Sequence, residues 1–262
     1  MKFSIVIPSF NSTHTIAKCL ESVLCQSDFD LPIEIVLVDD ASTDDTVDIA
    51  KSKLESAPPN VSFKILVNES NSGASVTRNR GITSASGEYI LFLDSDDYYH
   101  EHKLKILSSS LNSSIKFLFH DFTYSFNDTP FSVDAAQGPE RLPNRFKYFN
   151  LVKNRICTPC VIVHRSVVQN FDISLKRMED LELWTRIMAS GTEAHHLSYP
   201  LVELGHELNK GTGLSSNNAA MRTSEREMLK ILAQRFTRIR LLYPAYLLMH
   251  YMKIARDKLR TV

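Results

Sequence analysis

Tyr89-Ile90-Leu91-Phe92-Leu93-Asp94-Ser95-Asp96-Asp97 is an unbroken apolar run that stops at a cluster of carboxylates. Five apolar residues without alternation suit a strand buried on both faces, as strands are in a parallel sheet. The same pattern recurs toward the N-terminus. Ile33 to Val38 ends in Asp39-Asp40, Phe3 to Ile7 closes at Pro8, and Val61 to Val67 follows the break Pro58-Pro59-Asn60. Helical spacing fills the intervals. Ile16, Cys19, Leu20, Val23 and Leu24 share one face within 11–25, with Ser12 or Thr13 available as N-cap, and 43–54 and 73–84 read as two more helices. This β-α-β-α-β-α-β order predicts an open, mostly parallel, Rossmann-like sheet with flanking helices. Ligands of such sheets gather at the carboxyl ends of strands, where strand order reverses. Both acidic clusters fall at such ends.

The second half is less regular. Strands are expected over 115–122 and 160–164, a mobile loop over 127–154, and a helix over 180–189 with Leu183, Trp184, Ile187 and Met188 inward. From Ala219 onward the pattern is helical, with Pro244 as a break or kink. The division expected is a catalytic domain over 1–218 and a small helical appendage over 219–262.

Composition narrows the classes. Lys plus Arg and Asp plus Glu both total 30 in 262 residues, so the chain has no overall positive field and no general nucleic-acid binder is expected. No run approaches the roughly 20 apolar residues of a spanning helix. The apolar start is too short for a signal-peptide core. A cytoplasmic location is expected. Cys157-Thr158-Pro159-Cys160 is a lone CxxC running into an apolar strand, which suits buried thiols better than a metal or redox pair.

Asp94-Ser95-Asp96 sets two carboxylates two residues apart at a strand end. Hard divalent cations take oxygen ligands of this kind together with phosphates and water. Acidic residues also simply end strands and open turns. Asp39-Asp40 and the segment from Asn71 to Asn79, with Gly73 before a helix start, carry the same ambiguity, and the latter lacks the spacing of a P-loop.

Taken in order, Ser4-Ile5-Val6-Ile7-Pro8-Ser9-Phe10-Asn11, Val38-Asp39-Asp40-Ala41-Ser42-Thr43-Asp44, Gly73-Ala74-Ser75-Val76-Thr77-Arg78-Asn79, Phe92-Leu93-Asp94-Ser95-Asp96-Asp97 and Met178-Glu179-Asp180-Leu181-Glu182-Leu183-Trp184 resemble family 2 glycosyltransferases of the GT-A fold. The likeness covers residues 3 to 190. It implies that Pro8 and its neighbours meet a nucleotide through backbone atoms, that Asp40 accepts from a uracil N3–H, and that Asp39 supports the loop. By the same pattern Gly73 and Arg78 line the nucleotide pocket, Asp94 faces the ribose or metal shell, and Asp96 ligates Mn²⁺ or Mg²⁺. Asp180 is the implied general base of an inverting transfer; the bland alternative is a helix N-terminal carboxylate. His206 is a candidate for the metal or diphosphate site. The implied donor is a nucleotide-sugar, a UDP-sugar first of all. The implied acceptor is a saccharide, free or lipid-linked, in bacterial surface polysaccharide assembly. The rivals are a nucleotidyltransferase, whose glycine-rich basic loop the chain lacks, and an inactive nucleotide-sugar-binding module.

Two features remain. Trp184 either stacks on an acceptor sugar or packs in the core. Arg235, Arg238, Arg240, Lys253, Arg256, Lys258 and Arg260 flank the apolar stretch 241–249. That composition suits peripheral contact with the inner face of the cell membrane, a helix docked on its own domain, or a dimer contact.

Overall fold

The computed structural model describes residues 2–27, 29–127, 138–205 and 218–259 of the 262. Strands β1 (Phe3–Ser9), β2 (Ile33–Asp39), β3 (Val61–Val67) and β4 (Tyr89–Phe92) alternate with helices α1 (Ile16–Leu24), α2 (Thr46–Glu55) and α3 (Ala74–Ser84). The four strands are parallel and lie in the order β3-β2-β1-β4. The chain winds outward from β1 to β3, then crosses back through α3 to place β4 on the far side of β1. Strand order reverses between β1 and β4, which opens a crevice at their carboxyl ends.

The second half adds β5 (Tyr98–Tyr99), α4 (Lys103–Ser110), β6 (Phe117–Thr123), β7 (Glu140–Arg141), α5 (Phe146–Asn150), β8 (Val161–His164), α6 (Glu179–Ala189) and β9 (Ala194–Glu203). β8 pairs antiparallel with β4 and β6, and the sheet continues through β9 to β5. The result is a mixed sheet, parallel in the half that carries the acidic strand ends.

Local departures from the sequence reading have local causes. α1 starts at Ile16 with no side-chain cap, since Ser12 Oγ is taken by the Phe10 carbonyl (3.2 Å) and Ser95 Oγ (2.8 Å). Ser12 N–H donates to Thr46 Oγ1 (2.7 Å) and Thr13 N–H to Asp44 Oδ2 (3.2 Å), lacing the β1–α1 loop to the start of α2. Within 127–154, β7 and α5 replace part of the expected loop, and Phe146 of α5 stacks on Phe119 at 5.6 Å. Thr158–Cys160 is a 3₁₀ turn, and all four cysteines are free thiols.

The sheet's two faces make two cores, and β1 feeds both by alternation. Phe3, Ile5 and Ile7 pack with α1, α2 and α4, while Val6 packs with α3 and α6. Trp184 is fully buried in the second core among Phe92, Phe117 and Phe171, which settles its role as packing.

Helices α7 (Asn218–Arg235) and α8 (Thr237–Leu259) close the chain. α8 continues through Pro244 as one helix. The pair seats Met228, Leu229, Leu232, Ile239 and Tyr246 against Leu151, Leu175 and Leu181. Arg235 adds ion pairs to Asp172 (3.2 Å) and Glu182 (2.9 Å), and the Tyr246 hydroxyl donates to the Tyr148 carbonyl (3.2 Å). Among the described residues no helix is long and apolar enough to cross a membrane.

Candidate active site

The ends of β1, β2 and β4 and the starts of α3 and α6 meet at the β1/β4 crevice. Asp39, the last residue of β2, is fully buried; its carboxylate accepts from Ser9 Oγ (3.1 Å), Ser42 Oγ (2.5 Å) and Ser42 N–H (2.8 Å). It fastens the end of β1, just past Pro8, to the loop before α2. Asp40 turns the other way. Its Oδ1 accepts from Asn68 Nδ2 (2.7 Å) and Ser72 N–H (2.9 Å), its Oδ2 from Gly73 N–H (2.8 Å). Burial pushes this carboxyl up, but Asn68, the Ser72 and Gly73 N–H groups and Thr77 together outweigh it and hold the acid below its ordinary value. Gly73 has φ +86° with open space where a Cβ would sit, so backbone conformation is what requires glycine there.

Arg78, just over a turn into α3, joins the remaining segments. It is buried, with Nη2 at 2.6 Å from Asp94 Oδ1 and Nη1 at 3.2 Å from Glu179 Oε1. Its guanidinium carbon stands 5.4 Å from the centre of the Phe171 ring. Burial opposes the charge, yet Asp94 and Glu179 more than restore it. The structure therefore spends the two terminal nitrogens of Arg78 on protein carboxylates. That fork was not legible from the motif.

Asp94 follows β4 and opens a turn in which Asp97 N–H donates to its carbonyl (3.0 Å). Asp96 is partly exposed at the tip. Asp97 is buried, accepts from Gly205 N–H (2.9 Å), and has its carboxyl pushed up to about 8 by burial and by the charges of Asp94 and Asp96. Its role went unread in the sequence, where it is one more acid after the pair. Gly205 backs so closely onto the Asp96 carbonyl that a Cβ would overlap backbone. Gly205→Ala is expected to destabilise the protein by about 1–3 kcal/mol, because neither backbone can yield as a side chain would. Urea unfolding would show a lower midpoint at unchanged slope; an unchanged midpoint would mean that the turn adapts freely.

Asp180 sits in the first turn of α6. Its Oδ1 accepts from Leu181 N–H (2.7 Å) and its Oδ2 from Asn154 Nδ2 (3.4 Å). Burial first, then the Glu179 charge, raises this carboxyl to about 7, with Arg78 pulling the other way. Met178, immediately before α6, has φ +63°, and Ala41 and Asn11 beside the other motifs have φ +60° and +47°. These three are the non-glycine residues with positive φ among the described residues, and all border the crevice motifs. Strain of this kind collects where geometry is set by function. His206 lies outside the described residues.

The donor set suits a hard cation that is completed from outside. No group of three or more His, Cys, Asp or Glu among the described residues forms a ready cage, and carboxylates of this kind hold such a cation together with phosphate and water oxygens.

A doubly wound parallel sheet with carboxylates around its switch point, continued by a mixed half in which β6 and β9 run parallel, is the GT-A fold of glycosyltransferases. Residues 4–170 match the family model described as "Glycosyl transferase family 2". The chain is 32% identical over 191 residues to the Escherichia coli UDP-Glc:alpha-D-GlcNAc-diphosphoundecaprenol beta-1,3-glucosyltransferase WfgD, covering 71% of this chain and 69% of that protein. It therefore belongs to glycosyl transferase family 2 and is a glycosyltransferase, which removes the nucleotidyltransferase reading. The fold is shared with S. aureus TarS 1–349 in complex with UDP-GlcNAc, at a TM-score of 0.74, 21% identity and coverage of 96% of this chain and 73% of that one. Another TarS 1–349 structure is spanned over 64% of its length. Mannosyltransferase PcManGT from Pyrobaculum calidifontis, in complex with GDP-Man and Mn²⁺, matches at a TM-score of 0.64 with 13% identity, over 98% of this chain and 74% of that one.

Proposed function

We propose that this glycosyltransferase moves a sugar from a UDP-sugar to a hydroxyl of a saccharide carried on a lipid diphosphate, with inversion, during assembly of a bacterial surface polysaccharide. The observation that carries the reading is the Arg78 fork, which draws the Asp94–Asp97 turn and the α6 N-terminus that bears Asp180 to one place. Residues 1–218 form the catalytic domain, with 219–262 seated on it, and the site works on the cytoplasmic side of the membrane that carries the acceptor.

Pro8, Asp39, Asp40 and Gly73 frame the nucleotide, Asp40 through its carboxylate. Asp96, with Asp94 beside it, would hold Mn²⁺ or Mg²⁺, whose charge when bound offsets that of a departing diphosphate. Asp180 receives the proton of the acceptor hydroxyl as its oxygen bonds to the anomeric carbon and the bond to diphosphate breaks. Leu181 N–H and Asn154 fix the carboxylate that does so. The donor names printed for WfgD and TarS, and the diphosphoundecaprenol acceptor of WfgD, support the choice of UDP-sugar and lipid-linked saccharide.

Thermal unfolding with UDP, GDP or dTDP, each with and without Mn²⁺, tests the donor half. UDP at about a hundred times its dissociation constant stabilises by about 2.7 kcal/mol, a rise of roughly 5–10 °C in Tm. The shift is expected to need Mn²⁺ and to vanish in Asp96→Ala. No shift with any of the nucleotides would overturn the reading.

A further inference from the structure

The exposed side of α8 has no partner within the described residues. Leu241 (74% exposed), Leu248 (64%) and Met252 (62%) are surface-facing, although aliphatic side chains of this size are usually inside. At 100° per residue these three fall within about 40° of one another, on a stripe about 16 Å long. Tyr251, Leu242, Pro244 and Ala245 widen the same exposed face. The opposite face is the one that holds the helix down: Ile239 and Tyr246 enter the core shared with Leu181.

The charges sort the same way. Lys253 is drawn to Glu225, and Asp257 to Arg222 at 2.9 Å. Arg235, at the end of α7, is taken by Asp172 and Glu182. These do not face outward with the stripe. Arg238, Arg240 and Arg256 do: all three are exposed, and the ion pair recorded for Arg256 is a long 3.5 Å contact to Asp257. Asp257 is the sole acid of α8, so the outer face is apolar along its middle and positive at both ends.

We propose that the outer face of α8 docks on an anionic lipid bilayer, with the helix lying in the plane of the surface. Leu241, Leu248, Tyr251 and Met252 enter the boundary between headgroups and acyl chains, and Arg238, Arg240 and Arg256 meet lipid phosphates. A helix with aliphatic and aromatic groups on one side and flanking arginines binds in this way, through buried apolar area plus attraction to anionic lipid. A second copy of this chain fits less well. A two-fold contact through the stripe presses the same arginine-bounded patch against itself, with no acid on the outer face to receive them. Ile239 and Tyr246 on the inner face of α8 share one core with Leu181, the neighbour of Asp180, so docking turns the α6 side of the protein toward the membrane. The proposal takes its purpose from the lipid-linked acceptor reading and its evidence from α8 alone.

The test is co-sedimentation of the full chain with phosphatidylcholine vesicles, with and without about one third phosphatidylglycerol. Binding is expected only with phosphatidylglycerol, and it weakens as salt rises. Arg238→Gln with Arg256→Gln lowers partitioning by about tenfold or more. The triple variant Leu241→Ser, Leu248→Ser, Met252→Ser abolishes it. Both variants change surface residues and should unfold at the wild-type temperature, with the UDP shift intact. Wild-type protein that stays in the supernatant with anionic vesicles overturns the proposal. So does a triple variant that binds as wild type. A wild-type dimer that the triple variant turns into monomer, with no vesicle binding by either, assigns the face to a second copy instead. In the wild type, no vesicle binding with the UDP shift present sinks only the docking; no shift with vesicle binding present sinks only the donor reading.

Discussion

Asp180→Asn is expected to lower turnover by about 10²–10⁴-fold while leaving the Mn²⁺-dependent UDP shift in place. The amide keeps the shape of the side chain and can still accept from Leu181 N–H, but it cannot take a proton from a hydroxyl. Wild-type pH dependence follows from the same carboxyl. With its value raised to about 7, the base is protonated in acid, so kcat/KM should climb through about pH 7 and level off above it. The stability effect runs in the opposite direction. A carboxyl raised in the folded state holds its proton more tightly there than in the unfolded chain. Its contribution is fully present below the ordinary value of 3.8 and is lost as pH rises through about 7. At pH 8 the wild type therefore carries an ionised, half-buried group at a cost of roughly 1–3 kcal/mol, which asparagine relieves. The variant should be nearly inactive yet more stable than wild type at pH 8, with the gap closing toward pH 4. A variant that keeps full turnover would mean that another group takes the proton. One that loses turnover by unfolding would leave no case for a base.

The parallel half of the fold was legible because its signal is one-dimensional. Tyr89 to Leu93 is a continuous apolar run, and Phe3 to Ile7 and Ile33 to Val38 are broken only by Ser4 and Glu34, which are buried and bond each other; burial on both faces of a sheet forces that composition. β3 matches its expected limits, Val61–Val67. Elements resting on short local signals were missed. β5 has two residues, α5 has five, and α4 ends in Ser108-Ser109-Ser110, so none shows a period long enough to read. The candidate site divides similarly. The acidic strand ends announce themselves by position. What Arg78 does with its charge is a relation among residues 78, 94 and 179, and no spacing in the sequence encodes it. Asp97 and Gly205 are another such pair, joined across 108 positions by one hydrogen bond.

Arg78→Leu should be the most damaging single change to stability in the site. Removing the guanidinium strands Asp94 and Glu179 without their counter-charge, at 30% and 14% side-chain exposure. Breaking one partner out of a buried ion pair costs about 3–5 kcal/mol, a fall of roughly 10 °C or more in Tm. Arg78→Lys keeps the charge but loses the fork that spans two carboxylates, so it should recover only part of that loss. Glu179→Gln in the Arg78→Leu background removes one stranded charge and should restore stability relative to Arg78→Leu alone. A double-mutant cycle should return a coupling of about 0.5–3 kcal/mol. Titration separates this electrostatic role from mere packing. Arg78 pulls the Asp180 carboxyl down and Glu179 pushes it up. Arg78→Lys should therefore leave the acid limb of kcat/KM near its wild-type position, whereas Arg78→Leu should move that limb to higher pH and Glu179→Gln to lower pH. A shared direction for the last two, or no movement in either, would show that Arg78 holds the segments by shape and has no hold on the base. Opposite shifts would tie the Asp94–Asp97 turn to the N-terminus of α6 through one buried charge.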